Sequence, residues 1–274
     1  MSGWQLKQAY SHSEGVVKYD VLGSGPPLVL VHGTPWSSYN WRHVIAPLAG
    51  WFTVYFYDMA GYGQSEKREA QDVSLAAQNR LLGELLDHWG LDRPVIVGHD
   101  FGGTTVLRTH LLGRRAFEKI VLIDPVALSP WGSPFFNLVN RHEQVFQKLP
   151  GDIHKAIVTA YVRGATYRPM DAETLAGTIA PWLGDPGQGA FYRQIAQADR
   201  RFTDEVEPLF RTIACPLLIV WGEEDEWIPI EKGRRLHAAI QQSEFVAVPD
   251  AGHLVQEDKP AILLSHLLKF LSFV

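Results

Sequence analysis

Short apolar runs alternate with helical patterns along most of this chain, and that alternation constrains the fold more than any other feature. Leu28–Val31, Thr53–Tyr57, Val95–Val97, Ile120–Ile123, Leu217–Trp221 and Glu244–Val248 read as strands, and Gly15–Leu22 precedes them. Between them, Leu75–Trp89 carries apolar residues at helical spacing and stops at Gly90, and helices are expected over about Gly102–Leu112, Glu231–Ile240 and Pro260–Phe273. Strands separated by helices predict a mostly parallel sheet covered on both faces, because parallel strands need long crossover connections. From about Pro125 to Pro208 the rhythm breaks into helix-like pieces with prolines at 130, 134, 150, 169, 181 and 186. This predicts a core over 1–125 and 209–274 with a helical cap over 126–208. A lid and a purely structural excursion are equally compatible with that position.

The informative hexapeptide is Gly98-His99-Asp100-Phe101-Gly102-Gly103, between a strand and a helix. Its spacing is that of a nucleophile elbow, with Asp100 where a serine usually sits, and no G-x-S-x-G occurs elsewhere. Such a bend lifts Asp100 above the carboxyl ends of the strands, where open α/β sheets bind ligands. The competing reading makes Asp100 an ordinary helix cap. Ala251-Gly252-His253 supplies a histidine on a loop, fit to act as general base near neutral pH. Asp225, in Trp221-Gly222-Glu223-Glu224-Asp225, is the expected acid that orients it, and Asp124 at the end of Ile120–Ile123 is a rival.

These motifs resemble the α/β-hydrolase fold with an aspartate nucleophile, the group of haloalkane dehalogenases, fluoroacetate dehalogenases and epoxide hydrolases. Val29–Pro35, ending His-Gly-Thr-Pro, is similar to the stretch that supplies one oxyanion-hole amide, which here implies the N–H of Thr34 beside that of Phe101. His32-Gly33-Thr34-Pro35-Trp36-Ser37-Ser38-Tyr39-Asn40-Trp41-Arg42 and Asp58–Ser65 also resemble dehalogenase segments, and the likeness covers essentially the whole core. His32 itself reads as structural. A carboxylate nucleophile points to alkyl electrophiles, since attack on saturated carbon gives an ordinary ester that a His253-activated water then hydrolyses.

The resemblance leaves the leaving-group partner open. Haloalkane dehalogenases hold the halide with a Trp after the nucleophile, where this chain has Phe101, and with an Asn where it has Thr34; Trp36 is the candidate substitute. The arginines of fluoroacetate dehalogenases are replaced by Phe101 and Thr104. Gly189-Ala190-Phe191-Tyr192-Arg193 resembles the segment carrying the second lid tyrosine of epoxide hydrolases, so Tyr192 is the implied acid. The first has no match between Pro125 and Ala160, Tyr161 being too loosely aligned to count. Epoxide hydrolysis is therefore the slight preference. Haloalkane or haloacid dehalogenation, ester or lactone hydrolysis, and a non-catalytic ligand receptor on the same fold are the alternatives.

Composition removes other classes. Net charge is -5 with scattered Lys and Arg, which offers no face for nucleic acid. One cysteine, Cys215, allows no disulfide framework, and His142-Glu143 lacks the second histidine of a zinc-protease helix. No phosphate-binding glycine motif opens a helix, so neither cofactor nor metal is expected. No apolar stretch suits a secretory leader or a membrane span, which predicts a cytoplasmic protein off the membrane. The expected partner is a small apolar or weakly polar organic substrate, with a homodimer left open.

Overall fold

The computed structural model describes residues 3–271. Eight strands form one sheet: β1 (Gln8–His12), β2 (Gly15–Leu22), β3 (Pro27–Val31), β4 (Thr53–Tyr57), β5 (Val95–His99), β6 (Ile120–Ile123), β7 (Leu217–Gly222) and β8 (Ser243–Val248). Their order is β1-β2-β4-β3-β5-β6-β7-β8; β1 and β2 are antiparallel to their neighbours and the other pairings are parallel. The central strands are buried along their length, as parallel strands covered on both faces must be. Successive residues point to opposite faces. Val29 and Val31 therefore join α2 (Leu75–His88), α3 (Phe101–Leu111) and α9 (Ile230–Ala239) in one core. Leu28 and Leu30 join α1 (Arg42–Leu48) and α10 (Pro260–Leu271) in the other.

Between β6 and β7 lie α4 (Pro134–Phe146), α5 (Gly151–Arg163), α6 (Ala172–Ile179), α7 (Gly187–Ala196) and α8 (Arg201–Asp204). Among the described residues this stretch contains no strand. The predicted stop at Gly90 is present as a left-handed glycine, φ 67°, with the Leu91 N–H returned to the Leu86 carbonyl at 2.8 Å. Several short elements lie outside the sequence expectation, β1 and α1 among them. β1 is a polar edge strand held by its turn with β2, and α1 is a short helix with a proline inside it. The expected end of the last helix at Phe273 lies outside the described residues. No helix among those residues is long and apolar enough to cross a membrane.

The fold brings the carboxyl ends of β3, β5, β6 and β7 and the loop after β8 to one rim. The closest fit is where α3 leaves β5. A Cβ at Gly102 would stand 2.2 Å from the Val31 carbonyl oxygen, against backbone that cannot move aside. Gly102→Ala is therefore expected to lower unfolding free energy by about 1–3 kcal/mol or more, read from the urea midpoint. An unchanged midpoint would mean that this close approach does not constrain the turn.

Candidate active site

Asp100 links β5 to α3 with φ 52° and ψ -121°, a conformation that costs a non-glycine residue roughly 1–3 kcal/mol. Its side chain makes no capping hydrogen bond to α3, so the helix-cap reading is set aside. Instead the carboxylate turns toward the β3 loop, where Oδ1 accepts the Thr34 N–H at 2.6 Å. Gly33 permits this approach, since a Cβ there would lie 2.4 Å from Asp100 Oδ1. Phe101 heads α3, and the first N–H groups of a helix have no partner within it. His32, as expected, is structural: Nδ1 lies 2.8 Å from the Gly33 carbonyl and Nε2 accepts the Met59 N–H at 2.9 Å.

His253 stands between two carboxylates. Its Nε2 is 3.3 Å from Asp100 Oδ2, and its Nδ1 donates to Asp225 Oδ2 at 2.8 Å. Asp225 Oδ1 accepts the N–H groups of Trp227 and Ile228 at 2.8 and 2.9 Å, which fixes the carboxylate. Geometry thus selects Asp225 over Asp124 as the partner of His253. The loop bearing His253 is also fixed: Asp258 accepts the N–H groups of Gly252, Tyr167 and Arg168, and the Leu254 N–H reaches the Ala165 carbonyl. His99, which sequence reasoning passed over, places Nε2 2.9 Å from the His253 carbonyl. Burial drives its pKa down to about 3, so it is a neutral N–H donor there.

Aromatic rings wall this cluster. Trp227 stacks on His253 at 5.1 Å, Tyr161 stacks on Trp227 at 4.6 Å, and Trp36 packs on Trp227 at 5.6 Å. The Trp36 indole N–H is buried without a partner. Burial first, and then the nearby Asp100 charge, push the hydroxyls of Tyr161 and Tyr62 well above the usual tyrosine range. The Tyr62 hydroxyl donates to Gln194 Oε1 at 3.1 Å, and the Thr34 hydroxyl donates to the same oxygen. Tyr192 is not brought to the site. Its hydroxyl meets His154 Nδ1 at 2.9 Å, while His154 Nε2 is held 2.8 Å from the Trp182 carbonyl. That carbonyl fixes the ring proton on Nε2, so Nδ1 is the acceptor and Tyr192 donates to it. Tyr161 instead stands beside the cluster, stacked on Trp227 and within the field of Asp100. The signal for that placement was the spacing of His154, Val158, Tyr161 and Val162 along one face of α5.

Burial alone would hold His253 neutral, yet Asp225 and Asp100 together outweigh it and raise its pKa well above the ordinary value of 6.5. A group whose pKa rises on folding stabilises the fold fully below its unfolded pKa and loses that contribution as pH climbs through the folded one. Wild-type stability is therefore expected to fall as pH rises above about 6.5, and His253→Gln to remove this component. Urea midpoints measured across that range in both proteins test it, and parallel curves would contradict it.

A family model described as the alpha/beta hydrolase fold matches residues 26–260. A protein named soluble epoxide hydrolase, from Corynebacterium sp. strain C12, is 39% identical, with 92% of each chain covered. A protein named haloalkane dehalogenase 2, from Mycobacterium tuberculosis strain H37Rv, is 25% identical, covering 92% of this chain and 90% of its own. Among solved structures, an alpha/beta hydrolase fold protein from Burkholderia ambifaria superposes with TM-score 0.94 at 45% identity, covering 97% of this chain and 98% of the other. The epoxide hydrolase CorEH superposes with TM-score 0.76 at 25% identity, covering 96% and 97%. The chain belongs to the α/β-hydrolase fold family and is a hydrolase of that fold.

Proposed function

We propose that this protein hydrolyses an alkyl electrophile, an epoxide of a small apolar or weakly polar organic molecule, through a covalent ester on Asp100. One observation carries the reading: the Asp100 carboxylate has Oδ1 held by the Thr34 N–H and Oδ2 free toward His253 Nε2 at 3.3 Å. In this reading Oδ2 attacks an epoxide carbon and the C–O bond opens. The alkoxide takes the Tyr161 proton, because that hydroxyl lies within the field of Asp100 on the aromatic wall of the site. Esterification removes the Asp100 charge that kept His253 protonated, so the imidazolium gives up a proton, which water carries to the Tyr161 phenolate.

Neutral His253 then accepts a proton from water as the hydroxide adds to the Asp100 carbonyl carbon. The oxyanion on Oδ1 faces the N–H groups of Thr34 and Phe101, each such donor worth about 3–4 kcal/mol in the transition state. Collapse releases the diol, which takes the acid proton of Asp100, and the starting charges are restored. Asp225 holds the imidazole throughout. Protein groups and water suffice for every step.

The 39% identical soluble epoxide hydrolase supports the epoxide over other electrophiles. A second reading, carbon–halogen hydrolysis, is favoured by the buried, unpartnered indole N–H of Trp36, a donor of the kind that holds halide. Mass spectrometry of His253→Gln separates the two. An epoxide adds its whole mass to the peptide carrying Asp100, whereas a haloalkane adds its alkyl group without the halogen. No adduct from either panel would overturn the covalent reading.

Tyr161→Phe should slow epoxide turnover by ~10²-fold. Tyr192→Phe should leave turnover near the wild-type rate and cost about 1 kcal/mol of stability for the lost bond to His154. The reverse pattern would return the acid to Tyr192.

A further inference from the structure

The cycle above uses one acid behind His253, but two carboxyls stand there. Asp124 follows β6 as Asp225 follows the neighbouring β7, and its N–H donates to the Val220 carbonyl at 3.0 Å. The residue is completely buried and takes the left-handed backbone at φ 41°. Oδ1 accepts the Gly222 N–H at 2.9 Å. Among the described residues no donor reaches Oδ2, although the Asp124 carboxyl lies within hydrogen-bonding reach of that of Asp225. Asp225 by contrast accepts three hydrogen bonds, from Trp227, Ile228 and His253.

Two carboxyls this close, shut away from water, cannot both carry charge cheaply; the proton settles on the one with fewer donors. Asp124 has one donor and Asp225 has three. We infer that Asp124 is a protonated carboxylic acid whose O–H donates to the Asp225 carboxylate, making the acid behind His253 a two-residue pair with Asp124 as a positioning residue. The inference deepens the proposed function and takes the roles of His253 and Asp225 from it.

The surrounding groups agree with this proton. Burial first, and then the Asp225 charge, drive the Asp124 carboxyl well above the usual carboxylate range, with His253 opposing in part. Beyond these, Asp100 and His99 face the cluster from the end of β5, and His99 is neutral. An ionised Asp124 would add a second negative charge behind an imidazolium already paired with two carboxylates. His253 could then surrender its proton only with difficulty. A neutral Asp124 holds the Asp225 carboxylate in place without adding that charge.

Asn is shaped like a protonated Asp and keeps a donor, so Asp124→Asn distinguishes the two states of Asp124. With a neutral acid in the native protein, the pH profile of kcat should stay within about 0.3 unit of wild type. Were Asp124 ionised, the substitution would delete a charge beside His253 and move the corresponding limb toward acid by about one unit or more. Asp124→Ala, which removes the donor and leaves Asp225 a stronger partner of His253, should move that limb the other way. Neutron diffraction from deuterium-exchanged wild-type crystals reads the proton directly, with no variant and no turnover. A deuteron on Asp124 Oδ2 is expected, and its absence there overturns the inference. The neutron result stands even if no covalent adduct forms on Asp100, so failure of the proton assignment and failure of the proposed reaction are told apart.

Discussion

The contact on which the site depends is the hydrogen bond from the Thr34 N–H to Asp100 Oδ1. β3 and β5 are adjacent parallel strands, paired Val31 to Gly98, so the turns leaving them necessarily meet above the sheet. They can meet this closely only because Gly33 has no side chain to strike the carboxylate and Gly102 none to strike the end of β3. The left-handed bend at Asp100 follows from that meeting. Its strain is held by burial and by the Asp100 N–H donating to the Ile123 carbonyl on β6. A carboxylate so held cannot turn back to cap α3, and one of its oxygens is left toward His253.

The charges are arranged as tightly as the backbone. Asp100, His253 and Asp225 lie almost out of contact with solvent, where an unpaired charge is costly and a paired one strongly felt. The imidazolium is stable only while both flanking carboxylates are ionised. In the proposed cycle one of those charges disappears on ester formation and returns on hydrolysis. The same histidine is thus a held cation before attack and a base after it, with no motion of the main chain required. Neutral His99, bonded to the His253 carbonyl, fixes the loop without disturbing that balance.

Much of this was legible in the chain. The continuous apolar runs gave the buried strands, because a strand covered on both faces has no polar side to alternate with. The Gly-x-Asp-x-Gly spacing located the bend, since few residues tolerate such close backbone approach. The choice between Asp225 and Asp124 was not legible. Both follow neighbouring parallel strands, and only the path of the loop after β8 decides which one His253 meets. Nor was the fate of Tyr192. Gln194 on α7 faces Thr34, and two residues along a helix is a turn of about 200°, which points Tyr192 away from the site and toward His154 on α5. Motif likeness placed a tyrosine on α7 but could not fix that helix's rotation, which is set by packing among α4, α5 and α7, nor point to the tyrosine that α5 supplies.

The helices between β6 and β7 do more than cover the rim. Gln194 receives the Thr34 hydroxyl, and the Trp182 indole donates to the Pro35 carbonyl at 2.7 Å, so this stretch grips the loop carrying Thr34. It grips the histidine loop as well, through Asp258 to Tyr167 and Arg168 and through Leu254 to Ala165. The loops bearing Thr34 and His253 are therefore both fastened to the same helical insertion, one from α7 and the turn before it, the other from the segment after α5. Trp227, Tyr161 and Trp36 fill the space between the two attachments. Opening this stretch as a rigid unit would strain both loops at once. A rearrangement confined to side chains of the aromatic wall leaves the Thr34 and His253 contacts intact, and on these hydrogen bonds it is the less costly route for admitting the proposed substrate to Asp100.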